Sequence, residues 1–279
     1  MKFLVFGDLV GSKNVLQNIA SMDLSPYDFL LFSGDVMPMD YFKKRGKKRV
    51  EKSMDKKVKL SGDIEKDKEY QKYIKIEQVK AGKLNKEFTK INKKKKIYGI
   101  WGNADHPVIV KPIISSKNIN LLHNKTIKIN NYYLVGYGGR PEYIFETKPN
   151  NACHSFKEKE IYNSLSKILK KLDRKKTILI THVPPYKILD QVVPEYRKYG
   201  IGTYGQKAKN GHVGSISLRK IVNKYKPSLH IFGHIHESKG AKKILDTTFI
   251  NTGSAGDENE VVEIELNNAK LPKIKFKKF

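Results

Sequence analysis

The chain has 279 residues, 39% hydrophobic and 10% aromatic, and sets 55 Lys and Arg against 28 Asp and Glu for a net charge of +27 and a pI near 9.8. That length and apolar content are enough to bury one large core or two small ones, which argues against global disorder. No run approaches the roughly 18 apolar residues of a membrane span, residues 2–6 carry no cleavable leader pattern, and the single cysteine, Cys153, excludes an internal disulfide and a cysteine-based zinc site. A cytoplasmic protein is expected, with any metal held by His, Asp, Glu and Asn.

In chain order, the first apolar run, residues 3–6, leads into Gly7-Asp8, and the second, residues 29–32, into Ser33-Gly34-Asp35. Residues 41–96 differ in composition: 22 Lys/Arg and 8 Asp/Glu place a local +14 there, about half of the excess charge. Within that segment Tyr70, Ile74, Ala81, Leu84, Phe88 and Ile91 recur at helical spacing, which predicts an amphipathic helix in a Lys-rich insertion. Gly82 weakens that helix by about 1 kcal/mol relative to Ala and marks a candidate break. Only six of the 55 basic residues are Arg, so the charge reads first as a solvated lysine face and only second as a nucleic-acid cradle.

A third strand, residues 97–101, runs into Gly102-Asn103; a fourth, 177–180, into Thr181-His182; a fifth, 229–232, into Gly233-His234-Ile235-His236. Asn130-Asn131 marks a hairpin between residues 126–129 and 132–136, and residues 261–266 and 274–276 flank a further turn. Alternating strands and helices predict an α/β layered domain. Because ligands of open α/β sheets bind at the carboxyl ends of the strands, five strands ending in Asp, Asp, Asn, His and His-x-His are expected to share one rim. Mixed oxygen and imidazole donors suit Mn²⁺, Fe, Zn²⁺ or Ni²⁺. Paired ions about 3.5–4 Å apart activate water and neutralise phosphate in ester hydrolysis.

Gly7-Asp8, Gly34-Asp35, Gly102-Asn103-Ala104-Asp105, Thr181-His182 and Gly233-His234-Ile235-His236, in this order, resemble the five signature blocks of the calcineurin-like metallophosphoesterase superfamily. His182-Val183-Pro184-Pro185, His212-Val213-Gly214-Ser215 and Asn251-Thr252-Gly253 resemble its small prokaryotic members. The resemblance implies a four-layer α/β/β/α sandwich with two mixed β-sheets, here a single domain over 1–279 with the Lys-rich helical insert at 41–96. It implies two divalent metal ions, Mn²⁺ first, with Asp35 bridging them. Asn103, His182 and His234 would complete one site, and Asp8 and His236 the other.

The sequence departs from the family pattern twice. Val10 stands where the first block usually has a second ligand, His, which predicts a weak site, and Ala104 stands where a histidine often meets the phosphate. His106 and His212 are candidate substitutes and Arg140 a candidate phosphate clamp. His123, His154 and His230 read as structural or exposed, and Tyr98 and Trp101 as core. The expected function is metal-dependent hydrolysis of a phosphoester, in the first instance a phosphodiester, of a small molecule or nucleotide. The alternatives are a nuclease that recruits nucleic acid through the insert, or a binding scaffold with weakened catalysis. No membrane partner is expected; the insert is also a candidate homodimer surface.

Overall fold

The structure, a computed structural model, describes residues 1–37, 68–141, 155–193, 211–267 and 271–279. Residues 41–67 of the Lys-rich segment, together with Cys153 and His154, lie outside the described residues.

Two six-stranded sheets stack face to face. The first has the order β14(Lys273–Lys278), β13(Glu260–Glu265), β1(Lys2–Phe6), β2(Phe29–Phe32), β3(Ile97–Gly99), β4(Asn120–Leu121). Strands β1 to β4 are parallel, and β13 pairs antiparallel with both β1 and β14. The second has the order β11(Gly240–Ile244), β12(Thr247–Asn251), β10(Leu229–Phe232), β9(Thr177–Thr181), β6(Tyr132–Tyr137), β5(Lys125–Ile129). Its central strands β12, β10, β9 and β6 are parallel, with antiparallel β11 and β5 at the edges. Short strands β7(Arg140–Pro141) and β8(Ser155–Phe156) pair separately.

Alternation along the strands builds the layers. Phe3 and Val5 of β1, with Phe29 and Leu31 of β2, point between the sheets and meet Ile178, Ile180, Leu229 and Ile231 of the second sheet. Leu4, Phe6, Leu30 and Phe32 point outward under α1(Asn14–Ser21), α2(Lys68–Lys94) and α3(Lys111–Ser116). Leu179 and Phe232 face outward from the second sheet under α4(Glu158–Leu169) and α5(Ile216–Tyr225). A short helix, α6(Ala255–Glu258), precedes β13. The result is the expected α/β/β/α sandwich.

Helix α2 is the helix predicted from the Lys-rich segment. Ile74, Ala81, Leu84, Phe88 and Ile91 are buried in the core beneath it, while Lys72, Lys75, Lys83, Lys86 and Lys90 are exposed. It runs through Gly82, the candidate break, without interruption. Packing of its apolar stripe outweighs a penalty of about 1 kcal/mol at one position. The predicted hairpin is present, with Asn130 at φ 52° in the turn between β5 and β6. No described helix is long and apolar enough to cross a membrane.

Candidate metal centre

The carboxyl ends of β1, β2, β3, β9 and β10 meet at one rim, as the strand endings predicted. The turns that follow are sharp: Asp8, Asp35 and His234 adopt positive φ of 49°, 57° and 68°. Backbone bonds tie the turns together, from Asp8 N to Gly34 O at 2.7 Å and from Leu9 N to Asp35 O at 2.8 Å. At Gly102, before Asn103, and at Gly233, before His234, a neighbouring carboxylate occupies the space a side chain would need. A Cβ on Gly102 would lie 2.0 Å from Asp35 Oδ1, and one on Gly233 would lie 2.1 Å from Asp8 Oδ2.

Ligand atoms of Asp35, His182 and His234 lie within 4.8 Å of one another. His182 is fully buried, its Nδ1 3.0 Å from the carbonyl of Ser33. That bond places the proton on Nδ1 and leaves the Nε2 lone pair facing inward. There Nε2 meets two further acceptors, Asn103 Oδ1 at 2.9 Å and Asp35 Oδ2 at 3.3 Å. Three converging lone pairs require a cation between them. Without a metal that cation is a proton: burial alone would strip it, but the charge and hydrogen bond of Asp35 push the His182 imidazole up to about 10. Asp35 is in turn held below its ordinary value, its burial outweighed by His182 and by the Ala104 N–H at 2.7 Å. The donor set fits a divalent metal.

Asp8 and His236 form an adjoining pair. Asp8 is buried, accepts from the backbone N–H of His234, and lies 3.1 Å from His236 Nε2; Nδ1 of the same ring faces Asp257 Oδ2 at 3.4 Å. Burial opposes charge on His236, yet the Asp8 hydrogen bond and charge raise it. Burial, then the charge on His182, holds His234 down at about 3, with His236 and Arg140 adding to the effect. His234 is therefore a neutral imidazole, the form a metal binds. Val10 also has positive φ, 50°, an uncommon conformation for a β-branched residue, at the position where a histidine was missed in the sequence.

The three candidate phosphate contacts separate. His106 is buried, and its Nδ1 accepts from the N–H of Val108 at 3.2 Å, so one ring nitrogen serves a local turn. Arg140 is buried on β7, donates to the Pro141 carbonyl at 2.8 Å, and sends its field to His234. His212 keeps 26% side-chain exposure, with Nδ1 2.7 Å from Asp190 Oδ1. Nε2 is then its nitrogen available to a substrate. His230 is a core histidine: fully buried against Phe232 and Phe249, bonded to Thr181 Oγ1 at 2.8 Å, and depressed to about 3 by burial.

Two acids escaped the sequence reading. Asp105 accepts the backbone N–H of Asp35, Val36 and Gly102 at 2.9, 2.6 and 2.8 Å and so fixes the loops that carry Asp35 and Asn103. Burial, then repulsion from Asp35, pushes Asp105 up to about 7. Its place in the Gly102–Asp105 block was visible, but its role as a backbone clamp was not. Asp190 is buried and accepts the N–H of Lys187 and of Gly214, both at 2.9 Å, besides holding His212. No motif marks it.

Comparison with known proteins agrees with this geometry. The family description "Calcineurin-like phosphoesterase" matches residues 1–238. An uncharacterised protein of Methanocaldococcus jannaschii is 35% identical over 153 residues, 54% of this chain and 60% of that protein. A UPF0046 protein of Caenorhabditis elegans is 28% identical over 144 residues, 52% of this chain and 41% of its own length. The matches thus span less than two thirds of those relatives. Among solved structures, one superposes with a TM-score of 0.69 at 18% identity, covering 100% of this chain and 98% of the other. A dimetal phosphatase from Danio rerio superposes at 0.58 with 10% identity, covering 99% and 95%. The structural likenesses establish the fold, and the family match over residues 1–238 establishes the lineage: the chain belongs to the calcineurin-like phosphoesterase family.

Proposed function

We propose that this protein hydrolyses a phosphodiester using two divalent metal ions, Mn²⁺ first among them. The observation that carries the reading is the convergence of His182 Nε2, Asn103 Oδ1 and Asp35 Oδ2, with the tautomer of His182 fixed by Ser33. Asp35, Asn103, His182 and His234 would hold one ion, and Asp8 and His236, with Asp35 shared, the second. Bound metal supplies Lewis acidity toward the phosphate oxygens and lowers the pKa of coordinated water.

The protein's own groups do the rest. Asp105 fixes the backbone of Asp35 and Gly102, so the ligands are positioned before metal arrives. Arg140 contributes positive charge beside His234, suited to orienting the phosphate. His212, with Nδ1 held by Asp190, offers Nε2 to protonate the leaving oxygen, the task left open by Ala104.

The test is hydrolysis of bis-p-nitrophenyl phosphate by the full chain with added Mn²⁺, alongside the metal content of the protein. Turnover that rises with Mn²⁺ and collapses in Asp35→Asn is expected. Absence of turnover on both this diester and p-nitrophenyl phosphate at saturating metal would overturn the reading. Val10, at the place of the missing imidazole, favours a second one: a single-ion binding scaffold. Bound metal near one ion per chain with no turnover would support that alternative.

A further inference from the structure

A cavity of 240 Å³ is lined by Trp101, Leu121, His123, Lys125, Gly138 and Phe156. These residues come from four separate stretches of chain, 101, 121–125, 138 and 156, yet all sit at the rim that bears the metal ligands. Trp101 follows β3 and leads into Gly102-Asn103; Leu121 and His123 end and follow β4; Gly138 follows β6; Phe156 ends β8. Lys125 begins β5, which runs antiparallel to β6, so its amino end lies at the same rim.

The link to the metal centre is direct. Gly139 N donates to the Trp101 carbonyl at 2.8 Å, and the next residue, Arg140, pairs with Ser155 beside the Pro141–Phe156 pair. Trp101 itself directly precedes Gly102, where a Cβ would lie 2.0 Å from Asp35 Oδ1, so the cavity wall adjoins the ligand cluster through one peptide unit. One wall is aromatic: His123 and Phe156 stack at 4.9 Å and 24°, with Tyr137 edge-on to Phe156 at 5.4 Å and 70°. Lys125 is exposed and adds a cation.

We propose that this cavity seats the base of a nucleotide whose phosphate lies on the Asp35–His182–His234 cluster, which rests on the phosphoesterase reading. The volume is below the roughly 300–1,000 Å³ of pockets that enclose a whole ligand, and suits one ring system of a larger substrate. An aromatic wall beside a lysine recognises a flat, electron-rich ring next to negative charge. Every base has a π-face, so purines and pyrimidines are both accepted. Trp101, read from the sequence as a core residue, is packed in the core and also lines this cavity.

Trp101 is the chain's single tryptophan, so the tryptophan emission comes from the cavity wall. The full chain in Mn²⁺ buffer is titrated with AMP, TMP and ribose 5-phosphate. Saturable emission changes with both nucleotides and none with ribose 5-phosphate are expected. Phe156→Ala should weaken AMP binding about tenfold, the effect of losing one stacking partner. Exposed Lys125→Ala, which leaves the core intact, should weaken it more at low salt than at high salt. In parallel, the p-nitrophenyl ester of TMP is compared with methyl p-nitrophenyl phosphate, which has the same leaving group. A kcat/KM about tenfold higher for the nucleoside ester than for the methyl ester is expected, with that ratio falling toward one in Phe156→Ala.

Turnover of both esters at equal kcat/KM, with no emission change, would overturn the base site and leave the phosphoesterase reading standing. A nucleotide-specific emission change without turnover of either ester would do the reverse. Neither signal would overturn both.

Discussion

Gly102 and Asp35 occupy each other's space: a Cβ on Gly102 would sit 2.0 Å from Asp35 Oδ1 and 2.5 Å from Asp35 N. The glycine is thus part of the carboxylate's seat. Gly102→Ala is expected to push Asp35 off its position and weaken metal binding about 10- to 100-fold, the scale seen when outer supports of ligands are lost. Titration calorimetry with Mn²⁺ measures this, and an unchanged far-UV circular dichroism spectrum separates it from unfolding. Native affinity in Gly102→Ala would remove Asp35 from the ligand set.

Metal binding should depend steeply on pH. His182 keeps a proton up to about 10 in the metal-free protein, because Asp35 outweighs the effect of burial. A metal must displace that proton. Below that value the apparent affinity rises with pH, by about tenfold per unit for one displaced proton. His236, also raised, adds to the slope. Calorimetry in two buffers of different ionisation enthalpy counts the protons released; a pH-independent affinity would exclude His182 Nε2 as a ligand.

Asp105 should matter for stability before it matters for rate. In Asp105→Ala three backbone N–H groups lose their acceptor, each costing about 1–3 kcal/mol when left buried, so a loss of about 3 kcal/mol or more is expected. Asp105→Asn retains one acceptor oxygen and should lose less. Urea unfolding of the metal-free proteins gives both values.

His212→Ala is expected to lower kcat about 100-fold with metal content unchanged. Asp190→Asn should act in the same direction: with its one oxygen kept on the N–H groups of Lys187 and Gly214, its NH2 faces His212 Nδ1 and cannot accept from it. The loss should be larger for an alkyl ester than for a p-nitrophenyl ester, which leaves without help. An equal loss on both esters would assign the pair a structural role.

Much of this protein could be read from one dimension. Apolar runs at residues 3–6 and 29–32, the helical stripe from Ile74 to Ile91, and five strand ends bearing Asp, Asn or His are local patterns. Local patterns survive in sequence because backbone period and turn geometry are themselves local. The Asn130 turn and the buried lysine-helix stripe were legible for the same reason. What remained hidden depends on distances across the fold. Continuity of α2 through Gly82 was decided by packing, not propensity. Asp105 resembles one more acid beside Asn103 until its oxygens are seen on the N–H groups of Asp35 and Val36, about seventy residues earlier in the chain. Asp190 meets His212 across 22 residues. The cavity needs four stretches of chain, from both large sheets and from the β7–β8 pair. Which chemistry reaches the rim is legible in one dimension, because each ligand is tied to its own strand end; which groups support it emerges in the fold, because support is a matter of through-space contact between strands that the chain keeps far apart.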